Sequence, residues 1–185
     1  MNNIITGTIS TDCLNELIAN KEDMFKAMHN TKHLPTDAGL TYAGRFRQYN
    51  LINTPSVSNA LITIAKNLVN NTDMDQSKDI GAMSWVNYMV EGEKVHFHNH
   101  SLYYGSTRGY SACVYLHQSD TPIVFVDENL NAKRVYPEPG LWVLFPNNIT
   151  HKVPRLREKD RLSIGIELFY TEEKPDFCIG QDTQL

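Results

Sequence analysis

The sequence lacks most of the features that mark secreted and membrane proteins. Its three cysteines, Cys13, Cys113 and Cys178, are far apart and form no CxxC pair. Such isolated thiols are typical of a reduced, cytosolic protein. No apolar run approaches the ~18 residues needed to cross a bilayer, and residues 1–10 lack the basic start and apolar stretch of a signal peptide. We therefore expect a cytoplasmic protein with no membrane partner.

An excess of basic residues is also absent. Lys and Arg number 17 against 21 Asp and Glu, which gives a net charge of -4. This balance disfavours a nucleic-acid partner. The hydrophobic fraction of 41% is too high for a disordered chain. A length of 185 residues predicts a single domain over residues 1–185.

The two halves of the chain carry different hydrophobic patterns. Residues 1–80 contain two amphipathic stretches, at 11–29 and 56–70, that predict helices. After residue 80, short runs rich in Val, Ile and aromatic residues predict strands at 83–90, 94–100, 110–117, 121–127, 132–136, 140–145 and 161–170. Helices followed by strands predict an α+β fold, in which residues 1–80 form a helical support outside a β-sandwich. That sandwich spans residues 81–170, and residues 171–185 form a tail.

A histidine cluster is the first chemical clue. In VHFHNHS, strand alternation places His96, His98 and His100 on one face. Two of these imidazoles suit one metal ion, with His151 as the best third ligand, and imidazole binds Fe(II), Zn, Ni and Cu. The residues leave open whether His96 and His98, or His98 and His100, form the pair. An HxH on a strand is also a common surface feature without a metal.

Arg161 follows His151 by ten residues and opens a predicted strand. Ser163 shares its face, so a guanidinium fork and a hydroxyl form a cradle for a carboxylate. A metal beside a carboxylate receptor suits a 2-oxo acid, whose keto-acid end chelates the metal. The alternative is that Arg161 belongs to the surface charge run at 155–161.

These segments together resemble the 2-oxoglutarate/Fe(II)-dependent oxygenase superfamily, and in particular small uncharacterised oxygenases of marine phages and bacteria. The matching stretches are SWVNYMVEGEKVHFHNH, GYSACVYL, PGLWVLFPNNITHKVP and DRLSIGIEL, in that order over residues 84–168. The resemblance implies a double-stranded β-helix core, which is a cupin-like jelly roll. If the chain is phage-encoded, its location would be the host cytoplasm.

The resemblance also implies residue roles and an activity. His98, His100 and His151 would bind Fe(II), while Arg161 and Ser163 would bind the far carboxylate of the co-substrate 2-oxoglutarate. Asn87 is a further candidate contact for this co-substrate. The implied activity is that of a dioxygenase, usually a hydroxylase, which uses O2 and 2-oxoglutarate to oxidise a second substrate. That substrate would be a peptidyl proline, another amino acid side chain or a small molecule.

One position departs from the family pattern. Most of the superfamily has an acid two residues after the first histidine, giving two histidines and a carboxylate. Here that position is His100, so the site is more positive by one charge and the identity of the metal stays open. A cupin-type metalloenzyme that does not use 2-oxoglutarate is the enzyme alternative, although residues 101–109 lack the acid that cupins carry there. A non-catalytic β-sandwich binding domain is the other alternative, and the sequence does not indicate an oligomeric state.

Overall fold

The computed structural model describes residues 3–29, 49–100, 109–127, 129–173 and 183–185. Most of the loop between the two predicted helices, and most of the predicted tail, lie outside these ranges. None of the helices in the described ranges is long and apolar enough to span a membrane.

Three α-helices precede the long strands: α1 (Thr11–Ala19), α2 (Lys21–His29) and α3 (Ser58–Val69). The side chain of Ser10 caps the start of α1 by accepting a hydrogen bond from the Cys13 backbone N–H at 3.2 Å. The single helix predicted over 11–29 is two helices, because Asn20 leaves the helical conformation. The Asn20 amide donates to the Glu16 carbonyl at 2.8 Å, which satisfies one of the last carbonyl groups of α1.

The described residues contain ten strands, which form two antiparallel sheets. In chain order they are β1 (Ile5–Thr8), β2 (Ile80–Val90), β3 (Val95–His98), β4 (Tyr110–Tyr115), β5 (Ile123–Val126), β6 (Ala132–Val135), β7 (Leu141–Pro146), β8 (Thr150–Val153), β9 (Asp160–Tyr170) and β10 (Thr183–Gln184). The larger sheet has the order β1-β7-β4-β9-β2-β10, and the smaller has the order β3-β8-β5-β6. The sequence did not predict β1, β8 and β10, which have at most four residues each.

The larger sheet separates two hydrophobic clusters. One cluster joins its outer face to the helices, and includes Leu61 and Ile64 of α3 with Ile164 and Ile166 of β9. The other lies between the two sheets, where Val143 of the larger sheet meets residues such as Phe125 of the smaller one. The fold is therefore the predicted α+β arrangement, a double-stranded β-helix with the N-terminal helices packed outside.

Two residues before α3 cover an edge of β2. Asn50 donates to the Ala82 carbonyl at 3.0 Å and accepts from the Ser84 backbone N–H at 2.9 Å. The Tyr49 hydroxyl accepts from the Val86 N–H at 2.8 Å. These bonds satisfy backbone groups of β2 that neighbouring strands leave exposed, and so they tie the helical layer to the sheet.

Shortening one side chain on the sheet-facing side of α3 tests this packing. Ile64 is 2% exposed, whereas Ile62 on the same helix is only partly buried. We expect Ile64→Ala to lower the free energy of unfolding by about 2 to 5 kcal/mol, because it leaves a cavity in the core. Ile62→Ala removes the same atoms from the same helix, so it is the matched control. Equal losses in denaturant titrations would contradict the described orientation of α3.

Candidate active site

Three histidines from different parts of the chain come together between the two sheets. His98 ends β3 and lies opposite His151 of β8 in the strand register. His100 lies just beyond β3, where its backbone N–H donates to the Asn147 carbonyl at 2.8 Å. The pairing of β3 with β8 is irregular between Val95 and His98. Because of this irregularity the alternation fails, and His96 is exposed instead of sharing the inward face that the sequence predicted.

His98, His100 and His151 form a compact group. Each offers one ring nitrogen, and these nitrogens lie within 4.8 Å of one another. The ring centroids are 4.2 Å apart for His98 and His151, and 5.1 Å apart for His100 and His151. The structure therefore brings together the three predicted ligands and leaves out His96.

Each ring is oriented through its Nδ1 atom. His98 Nδ1 lies 2.8 Å from the His96 carbonyl oxygen, and His151 Nδ1 lies 3.0 Å from the Ile149 carbonyl oxygen. A carbonyl only accepts, so these Nδ1 atoms donate and both Nε2 atoms are left with a lone pair. His100 Nδ1 contacts the Glu167 carboxylate, and His100 Nε2 is buried without a partner. Histidines that ligate metals are held in this way by hydrogen bonds from the other ring nitrogen.

The surroundings of His98 and His151 favour neutral imidazoles. Burial lowers the pKa of His151 well below its usual value, and repulsion from His98 and His100 adds to this effect. Burial likewise lowers the pKa of His98. Metal ligation requires the neutral ring. The three nitrogens therefore fit a divalent metal such as Fe(II), Zn, Ni or Cu.

A buried guanidinium lies on the other sheet, on the face of β9 that is turned towards the space between the two sheets. Arg161 is 2% exposed, and its guanidinium carbon lies 5.2 Å from the centroid of the Tyr115 ring. Its Nη1 is 3.4 Å from Ser163 Oγ, but its Nε and Nη2 are buried without a partner, as is the Tyr115 hydroxyl. A buried cation without an anion is costly. The interpretation of Arg161 as part of a surface charge run is therefore wrong, and the unpaired guanidinium suits a carboxylate.

Strand register sets the neighbours of Arg161 and Ser163. Ser163 pairs with Asn87 of β2 on one side and with Tyr115 of β4 on the other. Asn87 Oδ1 accepts a hydrogen bond from Trp85 Nε1 at 2.9 Å. The predicted residues Arg161, Ser163 and Asn87 therefore occupy adjacent positions in one part of the sheet.

The sequence reasoning missed two residues of this site, Tyr115 and Glu167. A signal for Glu167 was present, because alternation in RLSIGIELFY places it on the same face as Arg161 and Ser163. The role of Tyr115 depends on its cross-strand neighbours, which the sequence does not show.

No protein-family model matches the sequence, and no curated protein matches it. Solved structures do match the fold. A prolyl hydroxylase in complex with a hypoxia inducible factor peptide fragment, from Trichoplax adhaerens, has 12% identity and a TM-score of 0.67, covering 94% of this chain and 86% of that one. An oxidoreductase of the 2OG-Fe(II) oxygenase family from Burkholderia pseudomallei has 10% identity and a TM-score of 0.65, covering 90% and 84%. HygX from Streptomyces hygroscopicus with nickel and 2-oxoglutarate bound has 11% identity and a TM-score of 0.63, covering 91% and 83%.

These matches show that the chain has the double-stranded β-helix fold of 2-oxoglutarate/Fe(II) oxygenases. They carry no information on the phage source that the sequence resemblance suggested.

Alanine substitutions test the composition of the histidine group. We expect His151→Ala to abolish stoichiometric Fe(II) binding in anaerobic calorimetry, because it removes a buried ligand. His96→Ala is the matched control, since it keeps the carbonyl that orients His98 and should bind Fe(II) as the wild type does. Loss of binding in His96→Ala, with full binding in His100→Ala, would instead favour the His96 and His98 pair.

Proposed function

We propose that the protein is a non-haem Fe(II)- and 2-oxoglutarate-dependent dioxygenase that works as a hydroxylase. The observation that carries this proposal is the presence, in the space between the two sheets, of a three-imidazole group on the smaller sheet and an unpaired buried arginine on the larger one. A 2-oxo diacid matches both features, because its keto-acid end chelates a metal while its distant carboxylate needs a cation.

Each residue then has a distinct task. His98, His100 and His151 hold the metal through Nε2. Arg161 has Nε and Nη2 available as donors, which are adjacent atoms of the guanidinium fork and suit the two oxygens of one carboxylate. The hydroxyls of Tyr115 and Ser163 add hydrogen bonds, and Asn87 lies beside Ser163 as a further contact.

Aromatic side chains keep the site dry. Phe145 packs edge-on against Phe125 at 4.8 Å and against His151 at 4.7 Å between ring centroids. Both phenylalanines are at most 2% exposed. Exclusion of water strengthens the interaction between Arg161 and a bound carboxylate. The chemistry supplied by Fe(II) at such a site is O2-dependent conversion of 2-oxoglutarate to succinate and CO2, coupled to oxidation of a second substrate.

A peptide side chain or a small molecule is the proposed class of second substrate. The matched structure of a prolyl hydroxylase with a peptide supports this range. So does a further match, EctD from S. alaskensis with 2-oxoglutarate and 5-hydroxyectoine, which has 13% identity and a TM-score of 0.63 and covers 94% of this chain and 74% of that one. The net charge of -4 gives no attraction to polynucleotides.

Succinate formation tests the class of enzyme without knowledge of the second substrate. We expect the protein loaded anaerobically with Fe(II) to form succinate slowly from 2-oxoglutarate, and only after O2 is admitted. 2-Oxoglutarate binding is measured beside it, since turnover coupled strictly to the second substrate would hide the product. Metal binding with neither succinate nor 2-oxoglutarate binding would contradict the proposal and favour the cupin-type alternative.

Replacement of Arg161 tests the carboxylate pocket. We expect Arg161→Met to weaken 2-oxoglutarate binding about 30-fold or more, the cost of truncating one partner of a buried charge pair. Fe(II) binding should be kept, and the ligand-free variant should unfold at the same temperature or higher, because an unpaired buried charge is removed. Arg155→Ala is the control, since Arg155 is exposed and donates to the Gly92 carbonyl, away from Ser163. An unchanged 2-oxoglutarate affinity in Arg161→Met would refute the assignment.

A further inference from the structure

A buried carboxylate contacts the ring of His100, one of the proposed metal ligands. The side chain of Glu167 is 0% exposed and contacts His100 Nδ1, whose own side chain is 13% exposed. Nδ1 and Nε2 lie on different sides of an imidazole ring. Glu167 therefore occupies Nδ1 and leaves Nε2 as the ring nitrogen that can bind a metal, and Glu167 is absent from the group of candidate ligands among the described residues.

Glu167 itself is held by a small polar network. Ser111 Oγ lies 2.9 Å from both Glu167 carboxylate oxygens and 2.7 Å from Asn147 Oδ1. The Asn147 carbonyl accepts the His100 backbone N–H at 2.8 Å. The same network thus fixes both the backbone and the ring of His100, which lies outside any regular strand.

No Lys or Arg side chain of the described residues pairs with Glu167. Its contacts are a hydroxyl and an imidazole, which is a poor environment for a fully buried carboxylate. A divalent cation on the opposite nitrogen of that imidazole would compensate the charge. In known metal sites, carboxylates that accept from a ligating histidine orient the ring and raise its basicity.

We infer that His100 and Glu167 act as one unit that replaces the carboxylate ligand expected at position 100. Glu167 keeps the proton on Nδ1 of His100 and so directs Nε2 to the metal. Its carboxylate supplies the negative charge from behind His100, outside the set of direct metal ligands. Three neutral imidazoles and this carboxylate have the same formal charge as two imidazoles and one carboxylate ligand. The inference rests on the proposed metal centre and assigns Glu167 as a positioning residue within it.

The tautomer of His100 gives a readout that needs no metal. In metal-free, 15N-histidine-labelled protein, we expect the His100 proton on Nδ1 in the wild type and in Glu167→Gln, whose amide oxygen still accepts. Glu167→Ala should lose this preference while the tautomers of His98 and His151 stay unchanged. A His100 proton on Nε2 in the folded wild type would overturn the inference.

Cobalt(II) affinity tests the link to the metal. We expect Glu167→Gln to weaken Co(II) binding by about 10- to 100-fold, the usual cost of losing an outer partner of a ligand. Glu158→Gln is the matched control, because Glu158 also accepts from a serine and a backbone N–H, but lies with Ser119 and Asp120 instead of the histidines. It should bind Co(II) with wild-type affinity.

The visible absorption spectrum of bound Co(II) separates action through His100 from direct ligation. If Glu167 acts through the ring, Co(II)-loaded Glu167→Gln should keep the number and intensity of the absorption bands of the wild type, because the set of ligand atoms is unchanged. A change in these bands would overturn the inference, since Glu167 would then be a direct ligand. Wild-type Co(II) binding that does not depend on Glu167 would overturn the inference but leave the proposed function standing. Absence of Co(II) binding in the wild type would overturn both.

Discussion

The register of β9 between β2 and β4 is the constraint on which both core and site depend. All eleven residues of β9 pair with β2, and the same strand pairs with β4 on its other edge. In this register Leu162 and Ile164 pack towards the helices, while Arg161 and Ser163 lie on the inner face. A slip of one residue would exchange the two faces, so the hydrophobic layer that stabilises the fold also fixes the position of the polar side chains.

That inner face carries two buried charges of opposite sign that do not neutralise each other. Arg161 and Glu167 are six residues apart on one strand, which corresponds to roughly 20 Å. Each charge costs free energy when it is buried alone. In the proposed function, bound ligands offset both costs. The far carboxylate of the co-substrate pairs with Arg161, and a metal bound to His100 compensates the charge of Glu167. Binding and stability are then coupled, since ligands that bind only the folded state stabilise it.

Local patterns predicted most of the elements. The spacing of apolar residues located α3 and the seven longer or more hydrophobic strands, but it missed the break at Asn20, because the apolar stripe continues across it. The strands β1 (ITGT) and β8 (THKV) each contain a single apolar residue, which is too few for a hydrophobic pattern to register. At the site, the structure brings His98, His100 and His151 together. It excludes His96, because an irregularity in β3 interrupts the alternation from which its direction was predicted.

The sequence by itself determined the fold class and the residue types that meet in the site. The fold class follows from periodicities between residues close together in the chain, and the residue types of the site follow from the spacing of the histidines and Arg161 together with the family resemblance. Only the tertiary structure decided which histidines share a centre, that Arg161 is buried without an anion, and that Glu167 supports His100. These features depend on burial and on contacts between strands that are distant in the chain. Burial also decides the chemistry of these groups. A buried charge or ring nitrogen that lacks a partner is unfavourable, and binding of a ligand removes that cost.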